Sequence, residues 1–129
     1  MSIFKKFCHV AALALIGMLL SCGPGLADSA EEFLSGCSAI ANHRILLPSN
    51  PSALQCWGAF AVIQTLVNWV EPKTNEPWFG ACVPHQATRS ELIVVFVKYI
   101  KAHPNRRHDD FVDVALEAIR SAYPCVPAK

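Results

Sequence analysis

Cys82-Val83-Pro84-His85 is the closest pairing of a sulfur with an imidazole in the mature part of the chain. Such a pair serves chemistry in two ways, as a thiolate activated by a neighbouring base or as half of a metal site. Both need partners that the sequence withholds. A zinc site takes three or four ligands at recurring short spacings, and His43 stands in one loop and His103 and His108 in another, with no second Cys-x-x-His and no Cys-x-x-Cys. The carboxylates Asp109, Asp110 and Asp113 crowd one short stretch, where the positive end of a helix dipole accounts for them. The six glycines are scattered and build no phosphate-cradling loop. The chain is therefore read as a non-enzyme, with no catalytic residue, no metal site and no cofactor expected.

Recognition is the chemistry that remains, and two segments are built for it. Glu71 to Phe79 carries Trp78 and Phe79 in a loop with two prolines. An aromatic there is either tucked over the core or presented as an anchor, and tucking is the favoured expectation. The second segment, His103-Pro104-Asn105-Arg106-Arg107-His108, is a compact basic turn, whose plainer reading is a solvated connector.

The elements that hold these segments start after an export signal. Residues 1–27 run from Lys5 and Lys6 through an apolar stretch, Val10 to Leu20, to the breaker Ser21-Cys22-Gly23-Pro24-Gly25-Leu26-Ala27. That stretch is far shorter than the roughly 20 residues a spanning helix needs. Gly25 and Ala27 suit a signal peptidase, which puts the mature start at Asp28 and predicts a periplasmic protein. An alternative is Leu19-Leu20-Ser21-Cys22 as a lipobox, with Cys22 lipidated and the chain membrane-anchored. The whole chain has 129 residues and a net charge of +1, and the expected mature domain, 28–129, has nine basic against ten acidic side chains. This balance removes the electrostatic basis for nucleic-acid binding. Cys37, Cys56, Cys82 and Cys125 remain, an even number in an oxidising compartment, so two disulfides are expected.

Prolines at 48 and 51, 72 and 77, 84, 104, then 124 and 127 punctuate the domain into four helices. Three starts carry a hydroxyl residue followed three positions later by Glu or Gln: Ser29 with Glu32, Ser52 with Gln55, and Thr88 with Glu91. The fourth start is the acidic stretch from Asp109. Periodicity predicts helices over about 29–42, 53–70, 88–102 and 109–123. The second, apolar almost all round, is expected to be the most buried. The third contains Leu92-Ile93-Val94-Val95-Phe96-Val97, a β-branched run that also suits a buried strand. As a helix, its Val94 and Val97 exceed what one small bundle covers, which hints at a homodimer face or a thick core. The fold class is thus all-α, a small disulfide-stapled bundle of about four main helices. Four cysteines allow three pairings. Helix ends that meet in antiparallel neighbours favour Cys37 with Cys56 and Cys82 with Cys125.

Phe33-Leu34 with Cys37, Cys56-Trp57-Gly58, Ala81-Cys82-Val83-Pro84, Ala102-His103-Pro104 and Ala122-Tyr123-Pro124-Cys125 follow in an order that resembles the Rap/Tai family of type VI secretion immunity proteins. The resemblance spans nearly all of the mature chain. It implies a small, exported, all-helical and often dimeric protein that binds a secreted peptidoglycan amidase and blocks its active-site cleft with a protruding loop. By exposure and charge, His103, Asn105, Arg106, Arg107 and His108 are the first candidates for that contact, ahead of Trp78 and Phe79. The rival reading is a generic periplasmic helical binding or chaperone-like module without a toxin partner.

Overall fold

The computed structural model describes residues 28–42 and 50–125. The expected signal segment, Cys22 and His43 lie outside them. Four α-helices form among the described residues: α1, Ala30–Ala41; α2, Pro51–Val67; α3, Arg89–Ala102; and α4, Phe111–Ala122. A 3-10 turn, Pro104–Arg106, joins α3 to α4. The chain is an all-α bundle, and the β-branched run of 92–97 is helical.

Thr88 shows why. Its hydroxyl accepts from the Glu91 N–H while the Glu91 carboxylate accepts from the Thr88 N–H at 2.6 Å, so two donors without helical partners are satisfied reciprocally. These bonds, the one from the Thr88 N–H first, hold the Glu91 carboxyl below the usual glutamate range.

The other two boxes do not form. The α2 cap is Asn50, whose side chain accepts from the Ala53 N–H, with Pro51 at the first helical position where its missing N–H costs nothing. Ser52 thus lies inside the helix. At α1 the first two N–H groups are taken by another segment: Ala30 donates to the Asp109 carbonyl at 3.0 Å and Glu31 to the Arg107 carbonyl at 2.8 Å. Ser29 sits in an isolated bridge with Asp110 and gives no side-chain cap. Of the three acidic residues at the fourth start, Asp110 caps α4 through the N–H groups of Val112 and Asp113. Asp113 lies in the first turn. Asp109 instead pairs with Arg106 at 2.9 Å.

One phenylalanine from each helix meets at the centre. Phe111 stacks on Phe33 with ring centroids 3.8 Å apart and meets Phe60 and Phe96 edge-on at 5.7 and 5.3 Å. The most buried helix is α4, where Phe111, Val114, Ala115, Leu116, Ala118 and Ile119 are enclosed; in α3 Leu92, Ile93, Phe96, Val97 and Ile100 are. This corrects the expectation for α2, which leaves Leu54 and Val62 exposed. Of the two α3 valines behind the dimer-face reading, Val97 is buried within one chain, while Val94 is half-buried and lines an apolar groove with Val95, Ile40 and Tyr123. The helix is thickly covered because α1, α2 and α4 all pack against it.

Two disulfides tie the bundle. Cys37 to Cys56 joins α1 to α2 with Cα atoms 5.4 Å apart, and Cys82 to Cys125 joins the segment before α3 to the end of α4 at 4.9 Å. They close intervals of 19 and 43 residues, worth about 3 and about 4 kcal/mol on a chain-entropy account.

The α1–α2 crossing next to the first bridge depends on Gly36. A Cβ built there would stand 2.0 Å from the Ser52 carbonyl oxygen, which is backbone and has no rotamer to yield. Gly36→Ala is expected to cost about 3 kcal/mol or more by forcing the two helices apart, seen as a lower urea midpoint. The Thr88–Glu91 box predicts a pH dependence. A carboxylate whose folded-state pKa is depressed contributes stability that is complete above its unfolded value and lost as pH falls through the folded one. The stability difference between the wild type and Glu91→Gln should therefore shrink as pH is lowered from neutrality through the carboxylate range, measured by urea denaturation at each pH.

Candidate functional site

Between α2 and α3 the chain makes a small hairpin. Trp78 donates its N–H to the Trp69 carbonyl at 3.0 Å, Glu71 to Glu76 at 2.8 Å and Asn75 back to Glu71 at 2.8 Å, with Val70 and Pro77 bridged. Pro72 stands at the tip, and Asn75 takes the left-handed conformation (φ 57°) that asparagine tolerates better than most residues. The return arm then alternates. Trp78, Gly80 and Cys82 are exposed, while Phe79 packs on the core and Ala81 is buried.

The expectation that Trp78 tucks over the core is thereby corrected. Trp78 is 59% exposed and Trp69 49%, and their rings meet edge to face with centroids 6.2 Å apart. Pro77 to Gly80 form a tight turn, with the Gly80 N–H donating to the Pro77 carbonyl at 3.1 Å and Gly80 at φ 65°, and this turn sets Phe79 on the core while Trp78 faces outward. Two large indoles left in water forgo the several kcal/mol that their burial would contribute. Trp69 lies in the turn after α2, not in the helix expected to reach residue 70. It is the functional candidate missed from the sequence, and its signal was the pairing of two tryptophans across a proline-bounded turn.

The arm is held at its base. Ala81 bridges Pro124, the Cys82 N–H donates to the Tyr123 carbonyl at 2.9 Å, and the disulfide follows at once. Cys82 is thus a disulfide half-cystine and not a free thiol. His85 and Cys82 line a crevice of about 240 Å³, but the Cys82 sulfur is bridged and carries no proton to abstract.

The basic turn is placed differently. Arg106 pairs with Asp109 and with Glu117 of α4, and Arg107 pairs with Glu31 of α1 at 3.5 Å. His103 stacks on Tyr99 with centroids 4.1 Å apart. Burial, and then the neighbouring Glu117 carboxylate, hold Tyr99 above the usual phenol range. Both arginines are neutralised, and the carbonyls of Arg107 and Asp109 cap α1. Asn105 and His108 remain exposed. The turn therefore exposes His103, Asn105 and His108 with its arginines paired, while the hairpin exposes Trp69 and Trp78. The two segments flank opposite ends of α3, a helix of 14 residues and about 20 Å, so they do not form one patch.

A third feature, also unforeseen, is an apolar groove of about 360 Å³ floored by Phe33, Ile63 and Phe111, with the exposed Val62 and Val112 on its rim. Among the described residues no group of three or more His, Cys, Asp or Glu side chains could hold a metal ion, and no helix is long and apolar enough to cross a membrane.

A stapled helical scaffold that presents an aromatic hairpin has the form of a protein-binding module. Residues 47–125, which contain α2, the hairpin, α3, α4 and three of the four bridging cysteines, match the family of Rap1a immunity proteins. The chain belongs to the Rap1a immunity protein family. As a member it is an immunity protein against a secreted effector, a role carried out by binding a protein partner. No match is found among curated proteins or among solved structures.

The ion pairs of Arg106 and the exposure of Trp78 predict opposite sensitivities. Arg106→Glu, which sets a third carboxylate beside Asp109 and Glu117, should cost more than about 1 kcal/mol of stability, and Trp78→Ala less than that. Urea denaturation of the two variants checks the order.

Proposed function

We propose that the chain is a periplasmic immunity protein that binds a peptidoglycan amidase delivered by a type VI secretion system and occludes its active-site cleft with the Trp69–Trp78 hairpin. The observation that carries this reading is the pair of exposed indoles on a protruding turn, on a chain of the Rap1a immunity family. A catalytic cleft is concave and largely apolar, with few polar groups. A narrow hairpin is convex and brings large rigid aromatic area at small entropic cost. The charges at its tip, Glu71, Lys73 and Glu76, are exposed or half-exposed and suit a polar rim around that anchor.

Export is part of the reading. An amidase acts on the cell wall, so its inhibitor must stand outside the inner membrane. The leader over 1–27 supports cleavage after Ala27, with lipidation at Cys22 as the alternative route to the same compartment. The homodimer implied by the resemblance has two apolar candidates, the groove rimmed by Val62 and Val112 and the groove where Val94 and Val95 of α3 meet Ile40 and Tyr123.

The test is a protection assay. Where a neighbouring gene encodes a Cys/His peptidase-like toxin, that toxin is the candidate amidase, expressed in the periplasm with and without this protein. Lysis should be prevented by the wild type, and continued lysis with well-folded protein present would reject the reading. Trp78→Ala together with Trp69→Ala should weaken binding of the purified amidase by about 2 kcal/mol or more, roughly thirtyfold, measured by calorimetry. Exchanging Asn105 and His108 for alanine should leave the affinity within a factor of about three.

A further inference from the structure

The two disulfides live in different surroundings. Cys37 and Cys56 are both fully buried, enclosed between α1 and α2 next to the Gly36 contact. Cys82 and Cys125 are both exposed, and Cys82 also lines the crevice of about 240 Å³ whose opposite wall is the hairpin itself, through Val70, Asn75 and Pro77. A thiolate can reach a disulfide sulfur only along an open line to it, so access separates labile bridges from inert ones. The buried bridge becomes reachable only when the helices around it open.

We infer that Cys82–Cys125 is a thiol–disulfide exchange site, open to a dithiol reductant while Cys37–Cys56 stays closed, and that its reduction releases the tryptophan hairpin. A thiolate of the dithiol attacks the Cys125 sulfur. The bond between the two protein sulfurs breaks, a mixed disulfide forms at Cys125, and the Cys82 thiolate leaves and takes a proton from solvent. The second thiol of the reductant then attacks the mixed disulfide, frees Cys125 as a thiol and departs as its own disulfide. Two electrons and two protons pass from the dithiol to the protein.

The structural consequence follows from what the bridge holds. The return arm of the hairpin ends at Ala81 and Cys82, which meet the end of α4 through the Ala81–Pro124 bridge, the bond from Cys82 to the Tyr123 carbonyl, and the disulfide. Trp78 stands four residues before Cys82, so freedom at Cys82 loosens the edge-to-face contact with Trp69. The helices are tied by the Phe33, Phe60, Phe96 and Phe111 cluster and by the inner disulfide, none of which involves the outer bridge. Reduction therefore disorders the hairpin and leaves the helices packed, though the bundle loses the loop closure that the outer bridge contributes against unfolding.

The experiment uses the oxidised mature protein and dithiothreitol as the dithiol. Thiols are trapped with iodoacetamide over time and located by peptide mass mapping, with circular dichroism recorded in parallel. Tryptophan fluorescence in a Trp57→Phe background reports on Trp69 and Trp78. Cys82 and Cys125 should be trapped roughly tenfold or more faster than Cys37 and Cys56, with helicity kept and fluorescence changing in step with Cys82 labelling. Equal trapping rates for all four cysteines, loss of helicity together with Cys82 labelling, or fluorescence that stays constant would overturn the inference. Cys82→Ser with Cys125→Ser should reproduce the reduced fluorescence without reductant. These readouts need no partner, so their outcome is separate from that of the protection assay.

Discussion

Phe111 is the side chain on which the bundle converges. It is the first residue of α4, its ring touches Phe33, Phe60 and Phe96, and its N–H donates to the Asp28 carbonyl at 3.0 Å. One residue thus fixes the start of α4 against all three other helices and against the first described residue of the chain. Aromatic packing of this kind is directional as well as apolar, because edge-to-face rings have preferred offsets. With its start fixed in the core, α4 acts as a strut. Its far end, twelve residues on, presents Tyr123, Pro124 and Cys125 to the segment that carries the hairpin.

The tryptophan hairpin inherits its position from that strut. A hairpin with one bridged residue pair and two exposed tryptophans buries too little apolar area to hold itself. Its outgoing arm continues from α2, and its return arm is pinned to α4 by a disulfide, a backbone bond and the packing of Phe79 and Ala81. Binding by such a loop gains from that preparation, since less conformational freedom is lost on contact. The basic turn at the other end of α3 is equally ordered, but its order serves the fold. Its carbonyls cap α1, and its guanidinium groups pair with Glu31, Asp109 and Glu117.

Local signals in the sequence translated into structure where their partners were also local. Thr88 and Glu91 are one helical turn apart, and the box they spell is present. The cysteine pairing followed from which helix ends meet. The signals misled where a competitor stood close by or far away. Ser52 spells a box, yet Asn50-Pro51 two residues earlier makes the better start. Ser29 spells another, but carbonyls almost eighty residues away reach its helix first. Arg106 and Arg107 look like free charge because Glu117 and Glu31, which neutralise them, are brought near only by the fold. The outward turn of Trp78 was not legible, since it depends on a turn from Pro77 to Gly80 whose marks in the sequence, a proline and a glycine three residues apart, do not say which of Trp78 and Phe79 faces the core. The groove beside Val62 had a weaker trace, an α2 too apolar on every side for three neighbours to cover.

The central claim is that this immunity protein meets its effector through the hairpin between α2 and α3. The most direct measurement is backbone hydrogen exchange of the oxidised protein, alone and with the amidase it protects against, followed by peptide mapping. The account predicts added protection concentrated in the amides from Trp69 to Phe79, with little change in the segment from His103 to His108. Protection confined to that basic turn or to the α2–α4 groove, with the hairpin unchanged, would contradict it.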